Sequence, residues 1–308
     1  MLSPAYLRQR WQHDRFDMVK ITKRNTKQGL FAFVDLLGFS DRVKAIKSEE
    51  QLRKLDSDVV YAQDQFELKS EDATIKESHR VSGKRVLAFS DCIVISVGLD
   101  SKIAELQGSY DVLVSELHSF GLAQGACVLN EIFIRGGVDV GFWFKRKDTL
   151  ISPAMVGAYE LEGSACVPMI ALTPALRTYL QNHGDGKNYS TDPLKTIIKQ
   201  KRRLPNGKSH WFINYIPICL EAIEPVLMHQ EQIMYKALTS EARDRWRSET
   251  RMRRCRDWAL RHRDVVHAAH SAASSDRVRV KYEWLTNYHN SEIKKFFGSE
   301  ARSLLINT

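Results

Sequence analysis

Apolar residues come in short blocks through the first 220 positions and at helical spacing afterwards. Leu30-Phe-Ala-Phe-Val34 is a run of strand formers and predicts a buried strand closing at Asp35. Gly38 and Ser40 follow, then a helical stretch to about Gln65, and the polar segment 66–80 reads as a loop. Arg85-Val-Leu-Ala-Phe89 and Cys92-Ile-Val-Ile-Ser-Val97 are strand-like and separated only by Ser90 and Asp91, which is hairpin spacing. Apolar periodicity predicts one helix from about Ser101 to Gln124. Phe133 to Phe144 reads as a long strand, and its glycines point to a bulge or a close backbone approach. Lys145 to Asp148 make a turn, Leu150-Ile151 return as a short strand, and Pro153 opens a helix to about Ser164. Val167 to Leu172 is a further strand, which Pro168 places at a sheet edge or at the strand's start. Segment 181–210 is rich in turn signals, Trp211 to Ile216 reads as one more strand, and the chain from Glu221 onward is helical.

Strand, helix, hairpin, helix, strand, helix, strand is the order of an α+β fold, a βαββαβ core of the ferredoxin-like or palm type with additions. The expected organisation is an N-terminal arm over 1–28, a catalytic domain over 29–220 and a helical C-terminal extension over 221–308.

Composition narrows the class. The 308 residues are 43% hydrophobic and 27% charged, which excludes collagen-like, low-complexity and wholly disordered chains. No apolar run reads as long enough to cross a bilayer, and the N-terminus lacks the apolar stretch of a secretory signal, so the expectation is a cytoplasmic protein without a membrane partner. The five cysteines are scattered without a CxxC pair, as in reduced buried thiols. A net charge of +9 suits a polyanionic partner without choosing one. Nine arginines crowd Arg243 to Arg263, but the acids Asp244, Glu249 and Asp257 among them favour a solvated helix face over a nucleic-acid surface.

The chemistry concentrates in two acids. Asp35 closes the first strand and Asp91 opens the third, and in a βαββαβ sheet those strands are central, adjacent and antiparallel. The two carboxylates therefore meet at one sheet edge, where mutual repulsion calls for hard divalent cations such as Mg²⁺ or Mn²⁺. Two such ions held by two aspartates suit phosphoryl chemistry. Gly38, Phe39 and Ser40 open the next helix, where free N–H groups favour phosphate oxygens.

These segments resemble class III nucleotide cyclases. "FAFVDLLGFS" is similar to their first metal-binding segment and "FSDCIVIS" to the second metal aspartate in its hairpin. "IRGGVDVG" and "SPAMVGAYELEGSACVPMI" resemble the strand, helix and strand that follow, so the likeness spans about 29–173. Within that superfamily, "AYELE" and "VKYEWLTNYHN" look like the bacterial pyrimidine cyclases of Pycsar antiphage defence. The resemblance implies a homodimer with active sites at the subunit interface. It implies conversion of UTP, or nearly as readily CTP, to a 3′,5′-cyclic mononucleotide and pyrophosphate, the product being a second messenger sensed by a separate effector. The metal set it implies is Asp35, the backbone carbonyl of Leu36, and Asp91. Purine cyclases usually carry a base-reading Lys where this chain has Leu87, and an Asn and an Arg on the later helix where Val156 to Glu162 has neither. Arg135 is then a candidate transition-state cation, alternatively an exposed strand-end arginine, and Tyr159 a candidate base contact, alternatively packed on the sheet. The rival readings are a purine cyclase and a degenerate cyclase fold that binds nucleotide without turnover.

Overall fold

The computed structural model describes residues 27–67, 81, 83–146, 149–183, 192–201, 203–224 and 235–307. The N-terminal arm, the 66–80 loop and the turn at Lys145 to Asp148 fall wholly or largely outside the described residues. Strand β1 runs over Lys27–Leu36, followed by helices α1 (Phe39–Ala45) and α2 (Glu49–Glu67). The hairpin β2 (Arg85–Phe89) and β3 (Cys92–Gly98) leads into helices α3 (Lys102–Gln107) and α4 (Ser109–Leu129). Strands β4 (Ile134–Arg146) and β5 (Thr149–Ile151), helix α5 (Pro153–Ser164) and strand β6 (Ile170–Leu172) come next. Helices α6 (Pro174–His183) and α7 (Leu194–Ile197), strands β7 (Ile198–Lys201) and β8 (His210–Ile213), and helix α8 (Tyr215–Glu221) complete the sheet region. Two long helices, α9 (Ser240–Ser271) and α10 (Asp276–Phe297), and a 3₁₀ turn over Gly298–Leu304 end the chain.

The fold is α+β. The sheet order is β2-β3-β1-β4-β6-β8-β7, with β5 added to β4. The first four strands make the ferredoxin-like arrangement, β1 lying antiparallel between β3 and β4. Side chains alternate across the sheet. Leu30, Ala32, Val34 and Leu36 enter an apolar core shared with Phe66, Leu113, Leu117 and Phe120 of α2 and α4. The other face carries a second core, in which Ala171 and Phe212 of the sheet pack with Leu161, Tyr215, Cys255, Trp284, Ile293 and Phe297. The C-terminal helices thus bury their apolar side on the sheet region.

Several expectations need correction. The helix drawn from Ser101 to Gln124 is two, broken at Gly108, whose φ of 91 suits glycine. The first helical stretch is likewise two, interrupted at Ile46, which is extended. The strand from Val167 shrinks to Ile170–Leu172 because Met169 N–H turns back to the Val167 carbonyl, and it is internal, parallel to β4 and beside β8. The strand read to Ile216 stops at Ile213, and Tyr215 begins a helix. The turn-rich segment 181–210 contains α7 and β7. Finally, α4 is long and apolar enough to cross a membrane by length and composition, which the polar Glu116, His118 and Gln124 hid in the sequence; 61% of its apolar window is buried inside the protein.

A buried polar chain ties α9 and α10 to the sheet region. Tyr215 Oη lies 2.6 Å from His262 Nε2, His262 Nδ1 2.9 Å from His289 Nδ1, and His289 Nε2 2.9 Å from the Leu304 carbonyl. With Tyr215 donating to His262, His262 to His289 and His289 to Leu304, every link has one donor and one acceptor while both imidazoles are neutral, and the Nδ1–Nδ1 link is lost if both are protonated. Burial pushes His289 from the usual 6.5 down to about 4, and burial together with His289 pushes His262 down as well. The unfolded chain therefore binds these protons first. The stabilisation is complete above the ordinary histidine range and is lost as pH falls from 6.5 toward 4. His289 alone then costs roughly 3 kcal/mol by pH 4. The urea unfolding midpoint should fall further between pH 7 and 4 in the wild type than in His289→Gln, which keeps the raised carboxyls Asp35, Asp139 and Glu162 that titrate in the opposite sense; equal falls contradict the neutral pair.

Candidate functional site

Asp35 follows Phe31 and Phe33 on the face of β1 opposite the first core, so the alternation that buries Val34 and Leu36 there turns the Asp35 carboxylate to the other face. Register does the rest. Asp35 pairs with Cys92 on β3 and with Arg135 on β4, giving the row Cys92, Asp35, Arg135 across three strands. The two-residue loop Ser90-Asp91, with Ser90 at φ 57, sits at the end of this row. The Leu36 N–H donates to the Asp91 carbonyl at 3.2 Å and fixes the two acidic segments side by side. Asp35 and Asp91 carboxylate oxygens and the Cys92 Sγ lie within 4.8 Å of one another.

A fourth group arrives from α5. Glu162 is nearly buried, and its Oε1 lies 2.6 Å from Arg135 Nε, close enough for an ion pair but outside hydrogen-bond alignment. Arg135 Nε and Nη2 each lie 3.1 Å from Asp35 Oδ2. Two carboxylates thus share one guanidinium, and Asp91 stands beside the first of them. Burial raises the Asp35 carboxyl to about 6; Arg135 opposes this, while a hydrogen bond with Asp91 and the charge of Glu162 add to it. Burial also raises Glu162. Burial and then the charges of Asp91 and Asp35 push the Cys92 thiol up to about 11, so at neutral pH it stays protonated.

The donor set fits hard divalent ions. Two carboxylates from adjacent strand ends offer oxygens at ligating separation, and crowding of negative charge is what a cation relieves. Asp35, Asp91 and the Leu36 carbonyl would hold such ions, and Glu162, whose Oε1 lacks an aligned partner, stands beside them.

The remaining expected residues gather nearby. Gly38, at φ 79 with open space around its α-carbon, makes the left-handed turn from β1 into α1, and no side chain caps the helix that Phe39 and Ser40 begin. Tyr159 lies on α5, 57% exposed, with its ring edge-on to Phe33 at 5.1 Å, so it both touches the sheet and faces outward. Glu162 went unassigned in the sequence although it follows Tyr159 by three, which puts both on one helix face. The close approach of α5 is what the glycines provide: a Cβ at Gly137 would overlap the Ala158 carbonyl oxygen.

The C-terminal helix also reaches this end of the sheet. The Tyr282 ring packs edge-on to Phe133 at 4.9 Å, and the Phe133 carbonyl accepts from Leu37 N–H at 2.8 Å. Lys281 is half-buried there, its ammonium repelled by Arg135 and Arg277 and attracted by Cys166 and Asp35. No sequence signal linked position 281 to position 35. The crowded arginines of α9 are largely engaged: Arg251 and Arg254 donate to carbonyls of Leu220 to Glu224, and Arg256 pairs with Glu300.

No protein-family model matches the chain, and no curated protein matches it. Among solved structures, the chain is similar to the adenylyl cyclase CyaB from P. aeruginosa, at 16% identity and a TM-score of 0.41, over 61% of this chain and 94% of that one. It is similar to the monomeric guanylyl cyclase domain of a RhoGC fusion protein from Blastocladiella emersonii, at 11% identity and a TM-score of 0.35, over 60% and 94%. It is also similar to the guanylate cyclase domain of RhGC from Catenaria anguillulae, solved with GTP, at 13% identity and a TM-score of 0.33, over 60% and 96%. Likeness this distant assigns no activity, and what the site does is read from its own side chains.

Proposed function

We propose that this protein is a nucleotide cyclase of the class III type that converts UTP, or CTP, into the 3′,5′-cyclic mononucleotide and pyrophosphate. The observation that carries the reading is the juxtaposition of Asp35 and Asp91 beside Leu36 at one end of the sheet. Divalent ions at those carboxylates, Mn²⁺ or Mg²⁺, supply the positive charge that makes the ribose 3′-hydroxyl acidic and neutralises the polyphosphate. The 3′-oxygen forms a bond to the α-phosphorus, the bond to the β-phosphate oxygen breaks, pyrophosphate leaves with the electron pair, and the hydroxyl proton passes to solvent.

The chain's own groups orient this step. Asp35 is held by Arg135, whose guanidinium offsets the carboxylates now and the charge developing on phosphorus during reaction. Amides at Gly38, Phe39 and Ser40 face the β- and γ-phosphates. Tyr159, exposed at the rim, bounds the base. Leu87, exposed on β2, offers no charge or hydrogen bond to a purine edge, which supports a pyrimidine substrate. Leu87 and Phe89 on β2, with Val156 and Tyr159 on α5, are large exposed apolar groups near the site and support a homodimer that completes it from a second copy. The product then acts through a separate effector, in keeping with a role in antiphage signalling.

Purified protein incubated with Mn²⁺ and each of the four nucleoside triphosphates, with products identified by mass spectrometry, tests this. Cyclic UMP as the dominant product is expected, with cyclic CMP next. Cyclic AMP or GMP would overturn the pyrimidine assignment, and no cyclic product at all would overturn the cyclase assignment.

A further inference from the structure

Four cations gather where α10 meets the carboxylate end of the sheet, and three have carboxylate partners or stand on the surface. Arg42 of α1 pairs with Asp58, and Arg135 is shared by Asp35 and Glu162. Arg277 is exposed on the first turn of α10, and Lys281 stands one turn further along. Lys281 is half-buried and, among the described residues, its ammonium has neither an ion pair nor a hydrogen bond. Its neighbour Tyr282 is anchored on Phe133, so the backbone at this point of α10 is fixed against the strand that carries Arg135.

This placement is unfavourable for the chain alone. Arg277 and Lys281 are like charges at i,i+4, which repel on a helix. Lys281 has also lost water and feels Arg135, and burial with these two arginines pulls its ammonium below the ordinary lysine range against the lesser attraction of Cys166 and Asp35. A multiply charged anion between Lys281, Arg277 and the ions of the carboxylate site would turn each repulsion into an attraction. Its charge must be dense and extended, since it spans from Asp35 to a different helix; a polyphosphate has that character and a carboxylate or single halide does not.

We infer that Lys281, with Arg277, binds the terminal phosphates of the substrate and the departing pyrophosphate, so that α10 completes the active site from the C-terminal region. This rests on the proposed reading of the Asp35–Asp91 site as a nucleoside triphosphate site. It gives the C-terminal helices a task beyond packing: the anchor of Tyr282 and the buried histidine chain hold α10 at the distance where its cations reach the substrate.

The probe is inorganic tripolyphosphate, titrated by calorimetry into the full-length protein with Mn²⁺ present. Lys281→Gln should weaken its binding by about tenfold and Lys281→Arg should restore most of it, because the charge matters more than the shape. Arg277→Gln, on an exposed position that leaves the fold alone, should weaken binding by about threefold. Lys294→Gln, exposed at the far end of α10, should leave it unchanged. Unaltered affinity in Lys281→Gln with unaltered thermal melting overturns the inference, as does a wild-type protein that fails to bind tripolyphosphate. If Lys281→Gln fails to fold, unaltered binding in Arg277→Gln overturns it. Weakened tripolyphosphate binding in a protein that makes no cyclic product upholds the anion site while removing the cyclase reading, so the two failures are distinguishable.

Discussion

Asp35→Asn is expected to lower cyclic nucleotide formation by at least about a thousandfold, roughly 4 kcal/mol of transition-state stabilisation, with the fold intact. The substitution keeps shape and hydrogen-bonding capacity but removes the charge that draws a divalent ion to the strand end. Asp91→Asn should have a loss of the same order. The double variant should be scarcely worse than either, because the two carboxylates act on the same ions and their effects do not add. Stability should move the other way. Asp35 is held out of water beside Asp91 and Glu162, and burial first, then these two groups, raises its carboxyl to about 6. Neutralising it relieves that crowding, and Arg135 keeps Glu162 as a partner. A melting temperature equal to or above that of the wild type, together with lost turnover, marks a site built for chemistry at the expense of stability. Turnover within tenfold of wild type in Asp35→Asn would contradict the assignment.

Gly137→Val should be the most damaging change that alters no charged group. A Cβ there would overlap the Ala158 carbonyl oxygen and sit 2.9 Å from Leu161 Cβ. The opposing atom is backbone, so no rotamer relieves the overlap and α5 must lift from β4. Overpacking of this kind costs about 1–3 kcal/mol. Tyr159 and Glu162 move with the helix, and a shift of about 1 Å in a positioning element costs on the order of a hundredfold in rate. Gly163→Ala is the internal control, since that site has nothing within 4 Å and lies in the same helix. Replacing a helical glycine by alanine there should stabilise by about 0.5–1 kcal/mol. Chemical denaturation and cyclase rates on the two variants separate the effects. Similar behaviour of the two would show that α5 does not depend on a bare backbone at Gly137.

The elements that position the site were the ones easiest to read. Leu30 to Val34 is apolar on both faces because both faces of β1 are covered, and the two-residue gap at Ser90-Asp91 permits little but a hairpin. From those two facts the antiparallel pairing of β1 with β3, and hence the meeting of Asp35 with Asp91, follows by topology. Elsewhere local composition misled. Tyr215 and Ile216 have the aromatic and branched side chains of the strand expected to end there, yet they open a helix because the side chains of that helix fill the gap between α4 and the C-terminal helices; a Cβ on Gly121 would already meet Ile218. Strand β7 carries lysines and a glutamine and is added at the sheet edge by pairing with β8, a long-range contact that no window of sequence contains. Glu162 was legible in principle from its spacing to Tyr159. Lys281 and the pair His262–His289 were not, because they depend on how α10 docks against strands far from it in sequence.

The central claim is that Asp35 and Asp91 share divalent ions beneath a nucleoside triphosphate, and anomalous scattering from Mn²⁺ in crystals grown with a non-cyclisable UTP analogue tests it most directly. A manganese peak within about 2.5 Å of carboxylate oxygens from both residues is the predicted result. Manganese bound elsewhere, or touching neither carboxylate with the analogue in place, would contradict it.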